Sequence, residues 1–137
     1  MKRFLSTLSA VFISAAALLA DNWKSPLRFD TYNWDFGQIN PLEGTVCHTF
    51  TFTNTSKSAA RINSDIPSCG CISAFYDDNA VEPGESATVM VAYSPSKDKG
   101  KSYRRIELLD RDGNTLASLS VEADVIEADE NAEISYP

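Results

Sequence analysis

The chain has 137 residues, 43% of them hydrophobic, and its 19 acidic against 12 basic side chains leave a formal net charge of −7. That acidity argues against general nucleic-acid binding, because phosphate contacts need a basic face. The length suits one domain around one core.

Met1, Lys2 and Arg3 are followed by an apolar run from Phe4 to Leu19 and then by Ala20 and Asp21, the basic–apolar–small order of a secretory signal peptide. Ala15, Ala16 and Ala17 offer one cleavage site; Leu18, Leu19 and Ala20 offer a later one, preferred because Asp21 and Asn22 begin the polar chain. The run is short for a transmembrane helix and carries Ser6, Ser9 and Ser14. The residue after Ala20 is Asp21, so no lipoprotein cysteine is present there. Residues 1–20 are therefore expected to be a signal peptide and the mature chain to be exported, periplasmic or secreted, and not membrane-spanning. Losing Lys2 and Arg3 takes the formal charge from −7 to −9.

Residues 21–26 form a polar lead, and short strands follow. Leu27 and Phe29 alternate; Trp34, Phe36 and Ile39 continue across Gly37, with Trp34 expected in the core, and Pro41 and Gly44 supply a turn. The clearest strand is Thr45 to Thr53, with Val46, His48, Phe50 and Phe52 on one face and Cys47, Thr49, Thr51 and Thr53 on the other. Asn54 to Ser58 reads as a polar turn. A strand is expected over Ala60 to Ser64, with Ile62 buried, before Pro67 interrupts pairing. Ile72, Ala74 and Tyr76 alternate next, then Ala87, Val89, Val91 and Tyr93, then Tyr103 to Leu109. Asp112 and Gly113 mark a hairpin that leads into Leu116 to Val125. Residues 127–137 form an acidic tail. About seven short strands with no helical period predict an all-β fold, an antiparallel β-sandwich.

Asp35, Phe36, Gly37 and Ile39, then Val46, His48, Phe50, Phe52 and Asn54, then Ser68 to Cys71, then Pro83, Gly84 and Glu85, occur in one order. That series resembles a bacterial domain-of-unknown-function family, number fifteen seventy-three, over roughly residues 27 to 126. The resemblance implies an immunoglobulin-like sandwich in exported proteins common among Bacteroidetes, and no known reaction. It carries His48, Cys69, Gly70 and Cys71 onto this chain. Cys47 falls outside the pattern, and Ser56 and Ala123 stand at or near positions where glycine is usual.

Cys69 and Cys71 place two thiols on one side of an extended segment, within reach of one soft metal, one oxidant or each other. Cys47, Cys69 and Cys71 are all disulfide candidates, and the odd count leaves one thiol over. A Cys69–Cys71 bond needs a bend, since two extended residues span roughly 6.6 Å, near the upper limit for a disulfide. Pairing Cys47 with either would close a loop of about 25 residues, for roughly 3 to 4 kcal/mol. A thiolate site for copper or zinc would use Cys69, Cys71 and His48, or all three cysteines. The first set is preferred because His48 shares the face of Phe50 and Phe52. The plainer role for His48 is a buried histidine hydrogen-bonded to backbone beside the cysteine loop.

Lys97, Lys99, Lys101, Arg104 and Arg105 form a basic cluster able to meet an anionic glycan or an acidic protein patch, and Trp23 is a spare aromatic in the polar lead. No zinc-protease helix, phosphate loop or dinucleotide fingerprint is present, and no catalytic set stands out. The functional expectation is an exported, non-catalytic binding or structural module of the envelope whose partner is a protein or glycan. Thiolate metal binding is the alternative, and thiol redox exchange comes third.

Overall fold

The computed structural model describes residues 23–127, so the expected signal peptide and most of the acidic tail lie outside the described residues. Eight strands follow in order: β1 (Leu27–Phe29), β2 (Asn33–Ile39), β3 (Val46–Asn54), β4 (Ser64–Pro67), β5 (Ile72–Tyr76), β6 (Ser86–Tyr93), β7 (Gly100–Leu109) and β8 (Thr115–Val125). They form two four-stranded sheets, one ordered β1-β3-β6-β5 and the other β2-β8-β7-β4. The period of two puts one face of each strand inside. Phe50, Phe52, Val89, Val91 and Tyr93 of the first sheet meet Ile106, Leu108, Leu119, Val121 and Val125 of the second in one core.

The fold is an immunoglobulin-like sandwich, with differences in detail from the sequence reading. β2 pairs in parallel with β8, so the second sheet is mixed and not wholly antiparallel. The strand expected at Ala60–Ser64 is reduced to a single bridge between Ala60 and Val81, and the regular pairing begins later, at Ser64. Pro67 closes β4 and pairs with Ile106; β4 is an edge strand, where a missing N–H is tolerated. Trp34 is 41% exposed and not a core residue, because β2 is the other edge of its sheet.

The Asp112–Gly113 turn falls where the sequence places it. Asp110 accepts the backbone N–H groups of Asp112 and Asn114, and Gly113 takes φ 85°, a left-handed value that glycine adopts without strain. Ser56 and Ala123 need no such conformation, since no described residue other than glycine has positive φ.

One crossing shapes the functional surface. After pairing with β3, the chain leaves the first sheet at Asp30 and enters the second at Asn33. Ser120 donates its backbone N–H to Tyr32 O at 2.9 Å, and Asn33 Nδ2 reaches Ser120 Oγ at 2.7 Å, fixing the switch. β1 therefore covers only the Phe52–Asn54 end of β3.

Candidate functional site

The β3 edge is built by strand parity. Asn54 donates to Glu85 O, so even-numbered main-chain groups of β3 face β6. Asp30 donates to Thr51 O and Thr55 donates to Pro26 O, so the odd-numbered groups face β1. Beyond Thr51 the chain has already crossed to the other sheet. The main-chain N–H and C=O groups of Thr49 and Cys47 thus face an edge with no strand paired to it among the described residues.

On the outer face of this sheet, the row Thr49–Met90–Phe75 lies between the rows Cys47–Ala92–Ser73 and Thr51–Thr88. None of these side chains is charged, and Phe75 and Met90 are exposed at 56% and 37%. Cys47 is a free, exposed thiol on this face.

Inside the same stretch, His48 closes the seam between the sheets. Its ring stacks on Trp34 with centroids 3.9 Å apart and planes 6° apart, and meets Phe50 edge-on at 4.8 Å. Among the described residues no backbone group hydrogen-bonds its ring, so His48 acts here through aromatic packing. Burial lowers its pKa below the usual 6.5. The unfolded chain therefore binds more protons than the folded one just below pH 6.5, and this contribution is fully present above that pH and lost as pH falls through it. Wild type is expected to lose stability relative to His48→Phe between about pH 7.5 and about pH 5.5 in paired denaturant titrations; parallel profiles would contradict the packing role.

Cys69 and Cys71 form a disulfide with a Cα separation of 5.2 Å, shorter than an extended pair would allow, because the chain turns at Gly70. Cys71 donates its backbone N–H to Cys69 Sγ at 3.3 Å, and Ser94 N–H donates to Cys71 O at 2.8 Å. A bond between residues so close in sequence removes little unfolded-state entropy, about 1.6 kcal/mol in the chain-entropy model, so it is a weak staple. The pair opens onto a cavity of about 460 Å³ lined by Ser94, Ser96, Lys97, Asp98 and Arg104.

The wall behind this cavity is a polar network. Tyr93, itself fully buried, donates its hydroxyl to Asp98 and lies 2.8 Å from Ser102 Oγ. Burial and the hydrogen bond to Asp98 raise the Tyr93 pKa. Arg104 binds Asp98 at 2.6 Å, yet its Nε is buried with no partner among the described residues.

These positions separate residues that the sequence reading grouped. His48 lies on β3, with β6 between it and the strand that follows the cysteine pair. Among the described residues, no group of three or more His, Cys, Asp or Glu side chains converges on a metal-sized site. His48, Cys69 and Cys71 do not fit copper or zinc as placed, with both sulfurs bonded to each other. Cys47 points out of the sheet, away from the pair.

The basic cluster also divides. Arg104 faces inward and, with Lys97, lines the disulfide cavity. Lys101 lines a cavity with Asp35, Glu122 and Asp124; Lys99 lines another with Glu127; Arg105 is on the outer face, paired in register with Ser120. Trp23 is 50% exposed. A separate cavity of about 440 Å³ lies between Pro26, Arg61 and Asp110, whose carboxylate is engaged with Asn114 and held below the usual carboxylate range by it.

Asn54 was missed as a structural centre. Its fully buried amide donates to Ser58 O and Val81 O, both at 2.8 Å, and accepts from Ser56 N and Ser56 Oγ. All four hydrogen-bonding positions of the amide are filled. The signal was available: Asn54 continues the inward parity of Phe50 and Phe52.

Among the described residues no helix is long and apolar enough to cross a membrane. No curated protein sequence matches the chain. Solved structures share its fold at low identity. VesB protease of Vibrio cholerae is 20% identical with a TM-score of 0.57 over 83% of this chain and 35% of its own. The PapD-like domain 7 of human CEP192 is 13% identical with a TM-score of 0.56 over 77% of this chain and 88% of its own. The Pseudomonas aeruginosa CupB2 chaperone is 15% identical with a TM-score of 0.51 over 77% of this chain and 59% of its own. The chain spans about a third of the VesB protease, so the likeness concerns one domain of a larger protein. The model of a family described as "Protein of unknown function (DUF1573)" matches residues 27–125, and the chain belongs to that family.

Proposed function

We infer that the chain is an exported, non-catalytic immunoglobulin-like module that binds an extended segment of an envelope protein by strand addition along β3. The observation that carries this reading is the bare edge at Cys47 and Thr49, where two residues' main-chain groups face outward and β1 has already left the sheet. An unpaired edge is a template for another strand: main-chain hydrogen bonds supply affinity, and alternate side chains supply specificity. The uncharged outer face around Thr49, Met90 and Phe75 favours a partner strand that alternates apolar and small polar residues. Export is supported by the basic–apolar–small order of residues 1–20 and by a formed disulfide, which suits an oxidising compartment. The CupB2 chaperone and the PapD-like domain of CEP192 have the same sandwich. A glycan platform has less support, since the basic cluster is split between separate surfaces.

The test uses a displayed library of random peptides selected against the mature chain. Selected peptides should alternate in polarity, and Thr49→Pro should weaken their binding by more than about tenfold. That substitution removes an N–H that faces the edge and no ladder bond to β6, so the melting temperature should stay close to wild type. Peptides that bind Thr49→Pro as well as wild type would overturn the edge as the site, and an anionic glycan array would then identify a carbohydrate partner.

A further inference from the structure

We propose that the Cys69–Cys71 disulfide is a thiol–disulfide exchange site that accepts two electrons from a pair of thiols on another protein. This proposal is independent of the β3 edge, which lies across β6 from the cysteine loop.

Four observations meet at this loop. The bond joins residues two apart, so it constrains the fold weakly and its ring is small. Both cysteines are only half-buried and line an open cavity. Cys71 N–H already points at Cys69 Sγ at 3.3 Å, ready to stabilise negative charge on that sulfur. The cavity wall carries two cations, Lys97 and Arg104, against one carboxylate, Asp98, and that excess of positive charge favours the thiolate that the chemistry generates.

A partner thiolate attacks Cys71 Sγ; the Cys69–Cys71 bond breaks, a mixed disulfide forms, and Cys69 leaves as a thiolate that accepts Cys71 N–H. A second partner thiol, as its thiolate, attacks the partner's own sulfur in the mixed disulfide and releases Cys71. Cys69 and Cys71 end as two thiols carrying the two protons, and the partner ends with a disulfide. One round consumes one partner dithiol and needs no other oxidant. Leaving from Cys69 is favoured because a stabilised thiolate is the better leaving group.

The experiment is a redox titration of the mature chain carrying Cys47→Ser, which removes the third thiol. The protein is equilibrated with a series of reduced-to-oxidised glutathione ratios, acid-quenched, alkylated and weighed. The Cys69–Cys71 bond is expected to be half reduced within that series. Glutathione, an anion, should reduce it about tenfold more slowly when Lys97→Glu reverses the charge at the cavity mouth. Lys97 is on an exposed loop outside the Tyr93–Asp98–Arg104 hydrogen bonds, so this variant tests the cavity without dismantling its wall. A bond that stays oxidised across the series would make it a staple and overturn the proposal. Reduction at a rate indifferent to Lys97→Glu would overturn the role of the cavity, and the proposal with it.

Discussion

Replacing Asn54 by alanine is expected to destabilise the domain by about 3 kcal/mol and lower its melting temperature by roughly 15 °C, the cost of several buried hydrogen bonds at about 1 kcal/mol each plus the space left behind. The amide holds three segments together. It bonds Ser56 and Ser58 of the loop after β3 and Val81 of the loop before β6, while its own backbone pairs with Gly84 and Glu85. Alanine keeps the backbone pairs and removes all four side-chain bonds, leaving Ser56 N–H without its acceptor. Asn54→Asp should cost at least as much, because a carboxylate oxygen would then face the Ser58 and Val81 carbonyls. Chemical denaturation of wild type and both variants measures the effect. A loss below about 1 kcal/mol for Asn54→Ala would mean that the network is redundant.

The strands were legible wherever one face is buried, because a period of two then appears directly. Val46, His48, Phe50 and Phe52 of β3 and Leu119, Val121 and Ala123 of β8 are of this kind. Which sheet a strand joins does not appear in its own pattern. The step from β1 to β2 depends on Tyr32, Asn33 and Ser120, residues distant in sequence, so neither the parallel pairing nor the bare half of β3 was visible beforehand. Trp34 misled for the same reason: an apolar residue on an edge strand can serve as a lid on His48 while remaining open to solvent. The cysteine pair was legible as two sulfurs on one side of the chain. Its basic surroundings were half legible. Ile106 faces inward, so the period of two in β7 also turns Arg104 inward, and the five cations read as one patch divide between faces.

The most direct measurement of the bare edge is amide hydrogen exchange along β3 in the mature chain, residue by residue. His48 and Phe50 donate toward β6 in the middle of a sheet and should exchange only through large-scale opening; Cys47 and Thr49 face the uncovered edge. An opening free energy of at least about 5 kcal/mol corresponds to a contrast of roughly 10³ to 10⁴ between the two parities. Strand addition at β3 requires that alternation in the free protein, and protection of Cys47 and Thr49 when a selected peptide is added, with His48 and Phe50 unchanged. Equal protection of all four amides in the free protein would show that the edge is already covered, and would contradict strand addition at β3.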